Sequence, residues 1–123
     1  MADETGTLLA SFTEIALSLP EAERERVGDH TSFSVRGKKF AYYLDSHHGD
    51  GIVGICVKVG PGENTAMIAS DPGRFYMPAY IGPRGWVALR LDVGVVDWEE
   101  VRELTTDSYL ITAPKSISKG VMA

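Results

Sequence analysis

Residues 52–59, IVGICVKV, carry the clearest secondary-structure signal in the chain. Their apolar side chains alternate, so that Val53, Ile55 and Val57 share one side of an extended chain. An alternation with a period of two is typical of a half-buried strand. Residues 86–93, WVALRLDV, alternate in the same way. The two segments predict strands of a sheet that has one apolar face.

Further elements extend from these two strands in both directions. Strands are predicted over 31–36 and 39–44, with Phe40, Tyr42 and Leu44 sharing one face of the second. Residues 21–26 (EAERER) are interpreted as a charged stretch, 46–51 as a turn and 75–84 as an irregular loop. The order is helix, three strands, short helix, strand, helix. The connections are too short for parallel crossovers, which predicts an α+β fold with a mostly antiparallel sheet and helices on one face.

Helices are predicted over residues 4–19 and 98–111, and a short helix is favoured for the ambiguous segment 63–70. In the first, apolar residues recur at the spacing of one helical face. For the helix over 98–111, Asp97 is a plausible N-cap, and Glu100 follows at the capping-box spacing. The sheet is expected to pack on apolar residues of the first and last helices, namely Leu8, Phe12, Ile15, Trp98 and Val101.

Length and composition indicate one domain over residues 1–123, with a frayed tail over 115–123. The chain is 44% hydrophobic and 24% charged, with no apolar run long enough to span a membrane. An acidic start without a basic segment argues against a signal peptide. One cysteine excludes an internal disulfide and fits a reducing cytoplasm. A net charge of -5 argues against a protein that coats nucleic acid without specificity.

The sheet face turned away from the helices, called here the second face, is predicted to be cationic and to carry one aromatic ring. Such a face suits phosphate contacts and base stacking, so DNA is one expected partner. A face that is merely solvated shows the same alternation. Arg74, in a turn next to this face, is expected to extend its basic surface. The expected nucleic-acid-binding residues are Arg36, Lys38, Lys39, Lys58, Arg84, Trp86 and Arg90, with Ser32, Ser34 and Cys56 on the same face.

Residues 75–86, FYMPAYIGPRGW, form the most unusual segment, with four aromatic residues among glycine and proline turn points. Aromatic loops often form ligand walls, although these rings could equally cap the core. The alternative function is therefore binding of a small molecule in a pocket walled by this segment. A third possibility is a chaperone-like interaction module, as a monomer or a homodimer. The expected ligand-binding residues are Phe75, Pro78, Tyr80, Trp86 and Tyr109.

Residues that could carry catalysis or bind a metal do not assemble into a complete motif. His47 and His48 lie near Asp45 and Asp50, in a pattern more typical of a polar turn than of a metal site. Cys56 has Lys58 two residues on, but a passive side chain is the favoured interpretation. No cofactor and no metal are expected, and an enzymatic function has no assembled nucleophile and base to support it.

The order and spacing of several short motifs resemble the MmcQ/YjbR family over nearly the whole chain. The matching residues are Phe33-Ser34-Val35, Gly37-Lys38-Lys39-Phe40-Ala41, Val57-Lys58, Asp71-Pro72, Phe75, Pro78, Tyr80, Gly85-Trp86-Val87, Asp107-Ser108-Tyr109 and Ala113-Pro114-Lys115. The resemblance implies a compact α+β fold, similar to type III secretion chaperones and loosely to frataxin-like (CyaY-like) proteins. It also implies DNA as a nominal partner and makes a planar drug or metabolite a reasonable ligand. The family's recurring positions, which could serve packing or binding, map to Lys38, Lys58, Pro78, Tyr80, Trp86, Ser108 and Tyr109.

Overall fold

A computed structural model describes residues 4–28, 30–46, 49 and 51–117 of the chain. The strands form one sheet in the order β1-β2-β3-β4-β6-β5, and every neighbouring pair is antiparallel. The α+β fold class predicted from the sequence is confirmed. The elements are α1 (Glu4–Leu17), β1 (Ala22–Val27), β2 (His30–Val35), β3 (Lys38–Asp45), β4 (Val53–Lys58), α2 (Glu63–Ser70), β5 (Phe75–Tyr76), a 3₁₀ turn (Gly82–Arg84), β6 (Trp86–Arg90) and α3 (Trp98–Thr112).

The core lies between one face of the sheet and the helices. Phe12 and Ile15 of α1 and Val101 of α3 are buried there, and Leu8 and Trp98 pack against them, as predicted. The Asp97 carboxylate accepts hydrogen bonds from the amides of Glu99 and Glu100, so it is the N-cap of α3. The strands contribute alternate residues to this core, among them Phe33, Val35, Ile55, Val57, Val87 and Leu89.

The sequence interpretation missed one strand, because residues 21–26, described only as a charged stretch, include most of the edge strand β1 (Ala22–Val27). It pairs with β2 along its whole length, from Ala22 opposite Val35 to Val27 opposite His30. No apolar alternation marks it, because the strand is exposed on most of its residues. Charged side chains are usual on such an edge, where they oppose pairing with another chain.

The predicted face of β3 is also wrong beyond Phe40, because the strand carries a β-bulge. Lys39 lies opposite Ser34 of β2, but Ala41 lies opposite Phe33, so Phe40 has no partner of its own. The extra residue moves every later side chain to the other face. Phe40 and Tyr43 therefore lie in the core. Tyr42 and Leu44 turn to the second face.

Other element boundaries differ modestly from those predicted. The loop predicted over 75–84 holds the short strand β5 and the 3₁₀ turn, while α1 ends at Leu17 and β6 at Arg90. Lys115–Ile117 form a helical turn, and Ile117 packs on the core. Residues 118–123 of the tail, and the predicted polar turn at His47, His48 and Asp50, lie outside the described residues. Within the described chain, no helix has the length and apolar character needed to cross a membrane.

Candidate ligand pocket on the second sheet face

A concave pocket of about 510 Å³ opens on the second face. One row of residues crosses four neighbouring strands of this face, with Tyr42 on β3, Cys56 on β4, Ala88 on β6 and Tyr76 on β5. Two small side chains thus lie between two tyrosines, which leaves a depression in the sheet. The opposite wall is the segment 77–81, called here the wall segment. The lining residues are His30, Tyr42, Leu44, Ile52, Cys56, Tyr76, Met77, Pro78, Ala79, Tyr80 and Ile81.

Trp86 lies beside this pocket on the second face and is only 7% exposed. It forms a small apolar cluster with Cys56 and Ala88, separate from the main core. Its ring lies 5.3 Å from that of Tyr42, centroid to centroid, in a tilted contact. Trp86 is therefore a buried support for the pocket, and its ring is not an open surface on which a nucleic-acid base could stack.

Asn64 of α2 fastens the chain that follows the wall segment. It is buried, and its Nδ2 donates to the carbonyl oxygens of Gly82 (2.9 Å) and Trp86 (3.1 Å). Gly82 in turn donates its amide to the Pro78 carbonyl. A Cβ at Gly82 would lie 2.5 Å from the Met77 sulfur, so the Met77 side chain packs directly against the glycine backbone.

Tyr80 stands at the mouth of the pocket in an unusual backbone conformation. Its φ is 66°, a region that residues other than glycine rarely adopt. Such a conformation costs on the order of 1 kcal/mol or more. The side chain is nevertheless 84% exposed, although it lines the pocket. Strain of this kind concentrates at ligand sites, which makes Tyr80 a candidate contact residue.

The pocket is lined mainly by uncharged side chains. Among the described residues that line it, none is Asp, Glu, Lys or Arg. Burial raises the pKa of the Cys56 thiol to about 12, so the thiol stays protonated and is a poor nucleophile. Burial, reinforced by the nearby Cys56, also raises the pKa of Tyr42. The described residues contain no group of three side chains arranged to hold a metal ion.

The cations of the predicted nucleic-acid interface do not form one open basic surface. Lys58, Trp86 and Arg90 do share the second face, but Arg36 lies in the turn between β2 and β3. Lys38 begins β3 opposite the core residue Val35, and Arg84 lies in the 3₁₀ turn. Carboxylates pair with several of them: Arg36 with Glu21 (2.6 Å), Lys39 with Glu25 (3.5 Å) and Arg90 with Asp92 (2.9 Å).

The second face carries acids that the sequence interpretation missed. Glu23 and Glu25 lie opposite Ser34 and Ser32 on β1, the strand that was not predicted. Arg74, expected to extend the basic patch, contacts Asp71 and Glu100, each at 2.7 Å. Arg74 therefore ties the turn after α2 to the start of α3.

The expected ligand-binding residues divide between the two faces of the sheet. Pro78 and Tyr80 line the pocket, and Trp86 supports it. Phe75 and Tyr109 lie in the core on the opposite side, so their assignment to the pocket is corrected. Phe75 follows the alternation of β5, where it is Tyr76 that points to the pocket. The contributions of His30, Leu44, Ile52, Cys56 and Ile81 were missed, and the bulge hid that of Tyr42.

Ser108 and Tyr109 have structural partners. The Ser108 hydroxyl donates to the Phe40 carbonyl (2.6 Å) and accepts from the Lys58 amide (2.8 Å). It thus satisfies backbone groups of β3 and β4 beside the bulge. The Tyr109 hydroxyl donates to the Pro20 carbonyl (2.6 Å), and its ring meets Phe40 edge-on. These contacts favour packing over binding for both residues.

Comparison with known proteins identifies a family and a related fold. A family model described as YjbR matches residues 17–111. The chain is also similar to the crystal structure of Deinococcus radiodurans protein DR2400, which has a domain of family DUF419. The TM-score is 0.72 at 19% identity, covering 93% of this chain and 87% of the other. At this identity the likeness shows the fold alone. No curated protein matches the sequence.

Proposed function

Since the chain belongs to the YjbR family, whose name fixes no chemistry, we propose from the pocket itself that it is a small-molecule-binding protein. The observation that supports this most directly is the concavity of about 510 Å³ on the second face. Ligand pockets usually have volumes of about 300–1,000 Å³ and mostly apolar, aromatic walls. The walls here follow that composition, and the wall segment is fastened by Asn64.

Trp86 supplies a built-in reporter for this proposal. The chain has two tryptophans, and Trp98 lies on α3 against the main core. A Trp98→Phe protein therefore has Trp86 as its sole tryptophan, in contact with the residues around the pocket. Titration with Nile red, an uncharged aromatic dye, should give a saturable rise in dye emission and a matching change in Trp86 emission.

A pair of exposed substitutions locates the bound dye. Tyr80 lines the pocket and is 84% exposed, whereas Val95 is 99% exposed and lies outside it. Neither side chain supports the core, so both proteins should fold. Tyr80→Ala should weaken dye binding at least about threefold, because one aromatic wall is lost, and Val95→Ala should leave it unchanged. The proposal would be refuted if the wild type, Tyr80→Ala and Val95→Ala bound Nile red with equal affinity, or if dye binding did not saturate.

DNA binding, which the family resemblance implies, is the second candidate. Lys58 lies beside Trp86 on the second face, and within the described chain neither Lys58 nor Lys38 has a carboxylate partner. The test is fluorescence anisotropy of labelled single- and double-stranded DNA at low and physiological salt. If these cations contact phosphates, Lys38→Ala plus Lys58→Ala weakens binding and lowers its salt dependence. Absence of binding at low salt would refute this candidate and leave the pocket proposal intact.

Self-association is the outcome that would turn the pocket into an interface. Sedimentation velocity at rising protein concentration measures it directly. A dimer that Tyr80→Ala dissociates and that Nile red displaces would identify the pocket as the contact between two copies. A monomer throughout would leave the pocket open to a small ligand.

A further inference from the structure

The chemical class of the ligand can be narrowed from the walls of the pocket. Burying an ion without a partner costs far more than burying an apolar ring. Among the described lining residues, no Asp, Glu, Lys or Arg side chain could pair with such an ion. On the same face Arg90 is paired with Asp92 and Lys39 with Glu25, while Lys58 lies outside the lining, two residues beyond Cys56. An ionised ligand in the pocket would therefore have no Asp, Glu, Lys or Arg side chain of the described lining to pair with.

The shape of the depression also restricts the ligand. Tyr42 and Tyr76 lie at the ends of a row that crosses four strands, with Cys56 and Ala88 between them. Adjacent strands lie about 4.8 Å apart, which separates the two tyrosine backbones by roughly 14 Å. Cys56 lines the pocket between them, whereas Ala88 is fully buried and is not part of the lining. A flat ring system fits such a slot and can meet the aromatic walls face-on or edge-on.

We propose that the pocket selects an uncharged, planar, fused-ring aromatic molecule and rejects ionised analogues of the same size. This inference rests on the proposed small-molecule function. The inference goes beyond that function, because a general apolar pocket would take a flexible lipid-like chain or an aromatic acid equally well. The selectivity follows from a described lining that lacks Asp, Glu, Lys and Arg and that holds the aromatic rings of Tyr42, Tyr76 and Tyr80.

Three probes that share one ring system test the charge rule. They are 2-naphthalenemethanol, which is neutral, 2-naphthalenesulfonate, an anion, and 2-naphthylmethylammonium, a cation. Equilibrium dialysis at pH 8, above the ordinary range in which imidazole carries a charge, measures each affinity directly. The neutral probe should bind at least about tenfold more tightly than either ion, since one unpaired buried charge easily costs that much.

The shape rule needs one further probe. Decanol is uncharged and apolar but flexible, and its affinity should fall below that of 2-naphthalenemethanol. An ion that binds as tightly as the neutral ring, or decanol binding more tightly, overturns the inference. If Nile red still saturates a Tyr80-dependent site in that case, the proposed function survives. If neither Nile red nor any naphthalene binds, both are refuted.

A charge placed at the pocket rim provides the matched control. Ala79 lines the pocket and Ala66 lies on α2 away from it, and both are exposed. Ala79→Lys should raise the affinity for 2-naphthalenesulfonate at least about fivefold relative to the neutral probe, by supplying the missing partner. Ala66→Lys adds the same charge elsewhere and should leave the relative affinities of the neutral and anionic probes unchanged. Equal gains in both proteins would show that net charge, and not the pocket wall, sets the preference.

Discussion

Replacing Ser108 by alanine tests whether the Asp107-Ser108-Tyr109 segment supports the frame of the molecule. Ser108 is fully buried, and its hydroxyl bridges the Phe40 carbonyl and the Lys58 amide at 2.6 and 2.8 Å. The bulge at Phe40 takes this carbonyl out of the regular ladder between the strands. Without the hydroxyl, one buried acceptor and one partly buried donor lose a partner that water cannot easily replace.

The size of the effect follows from those two groups. Leaving a buried backbone group unsatisfied costs about 1–3 kcal/mol, so two groups give a loss of about 3 kcal/mol, allowing for partial relaxation. A small domain is stabilised by only about 5–15 kcal/mol. For a chain of this length, the midpoint of thermal unfolding should fall by roughly 10 °C. The side chain shrinks by a single oxygen, so cavity formation adds little.

Chemical denaturation followed by circular dichroism measures the free energy of unfolding, and Ser70→Ala is the matched control. The Ser70 hydroxyl also donates to a backbone carbonyl, that of Met67 at 2.9 Å, but it is exposed. Its removal should cost less than about 0.5 kcal/mol. Hydrogen exchange of the Lys58 amide gives a local readout and should accelerate in Ser108→Ala alone. A loss in Ser108→Ala no larger than in Ser70→Ala would refute the bridging role.

Three further predictions concern the pocket and its surroundings. Asn64→Ala removes the hydrogen bonds to the carbonyls of Gly82 and Trp86. It should weaken Nile red binding severalfold and lower the free energy of unfolding by about 2 kcal/mol. A dye affinity equal to that of the wild type would contradict the fastening role. Cys56, with its pKa raised to about 12 and 1% exposure, should resist iodoacetamide at pH 8 in the folded protein and react once urea unfolds it, as mass spectrometry would show; rapid labelling of folded protein would contradict this. Burial opposes ionisation of Asp92, but hydrogen bonds from Arg90 and the Val53 amide outweigh burial and lower the pKa of Asp92. Ionised Asp92 therefore stabilises the fold at pH values above its pKa in the unfolded chain. This stabilisation is lost as the pH falls through the lower pKa of the folded state. Asp92→Asn should therefore lose less stability than wild type during acid titration, and parallel titration curves would contradict the assignment.

The sequence predicted well those elements whose burial leaves a periodic trace. Val53, Ile55 and Val57 alternate because one face of β4 lies against the helices. The cap at Asp97 was predictable because it depends on residues only two and three positions away. Strand β1 was missed for the opposite reason, since its exposed side chains are charged on both faces and only backbone pairing with β2 makes it a strand.

The site was harder to predict, because one bulge decides which β3 side chains face it. A period of two places Phe40, Tyr42 and Leu44 together, and it fails when one residue is inserted into the pairing. A partner of the bulge lies 68 positions away, because the Ser108 hydroxyl donates to the Phe40 carbonyl. No local pattern contains that contact. Missing β1 likewise hid the acids Glu23 and Glu25, which made the second face look more basic than it is.

The composition of the second face distinguishes a functional surface from a merely solvated one. An antiparallel sheet can leave one face in water, and such a face is expected to be polar throughout. Here polar and charged residues lie toward the edge formed by β1 and at the strand ends, whereas the centre holds Tyr42, Cys56 and Ala88 beside Trp86. Cys56, Ala88 and Trp86 are buried, but the pocket next to them is open, and Met77 and Tyr80 of the wall segment are exposed. Apolar surface left exposed in this way favours aggregation unless something binds there. The arrangement is therefore better explained by a ligand that completes the cover than by solvent alone.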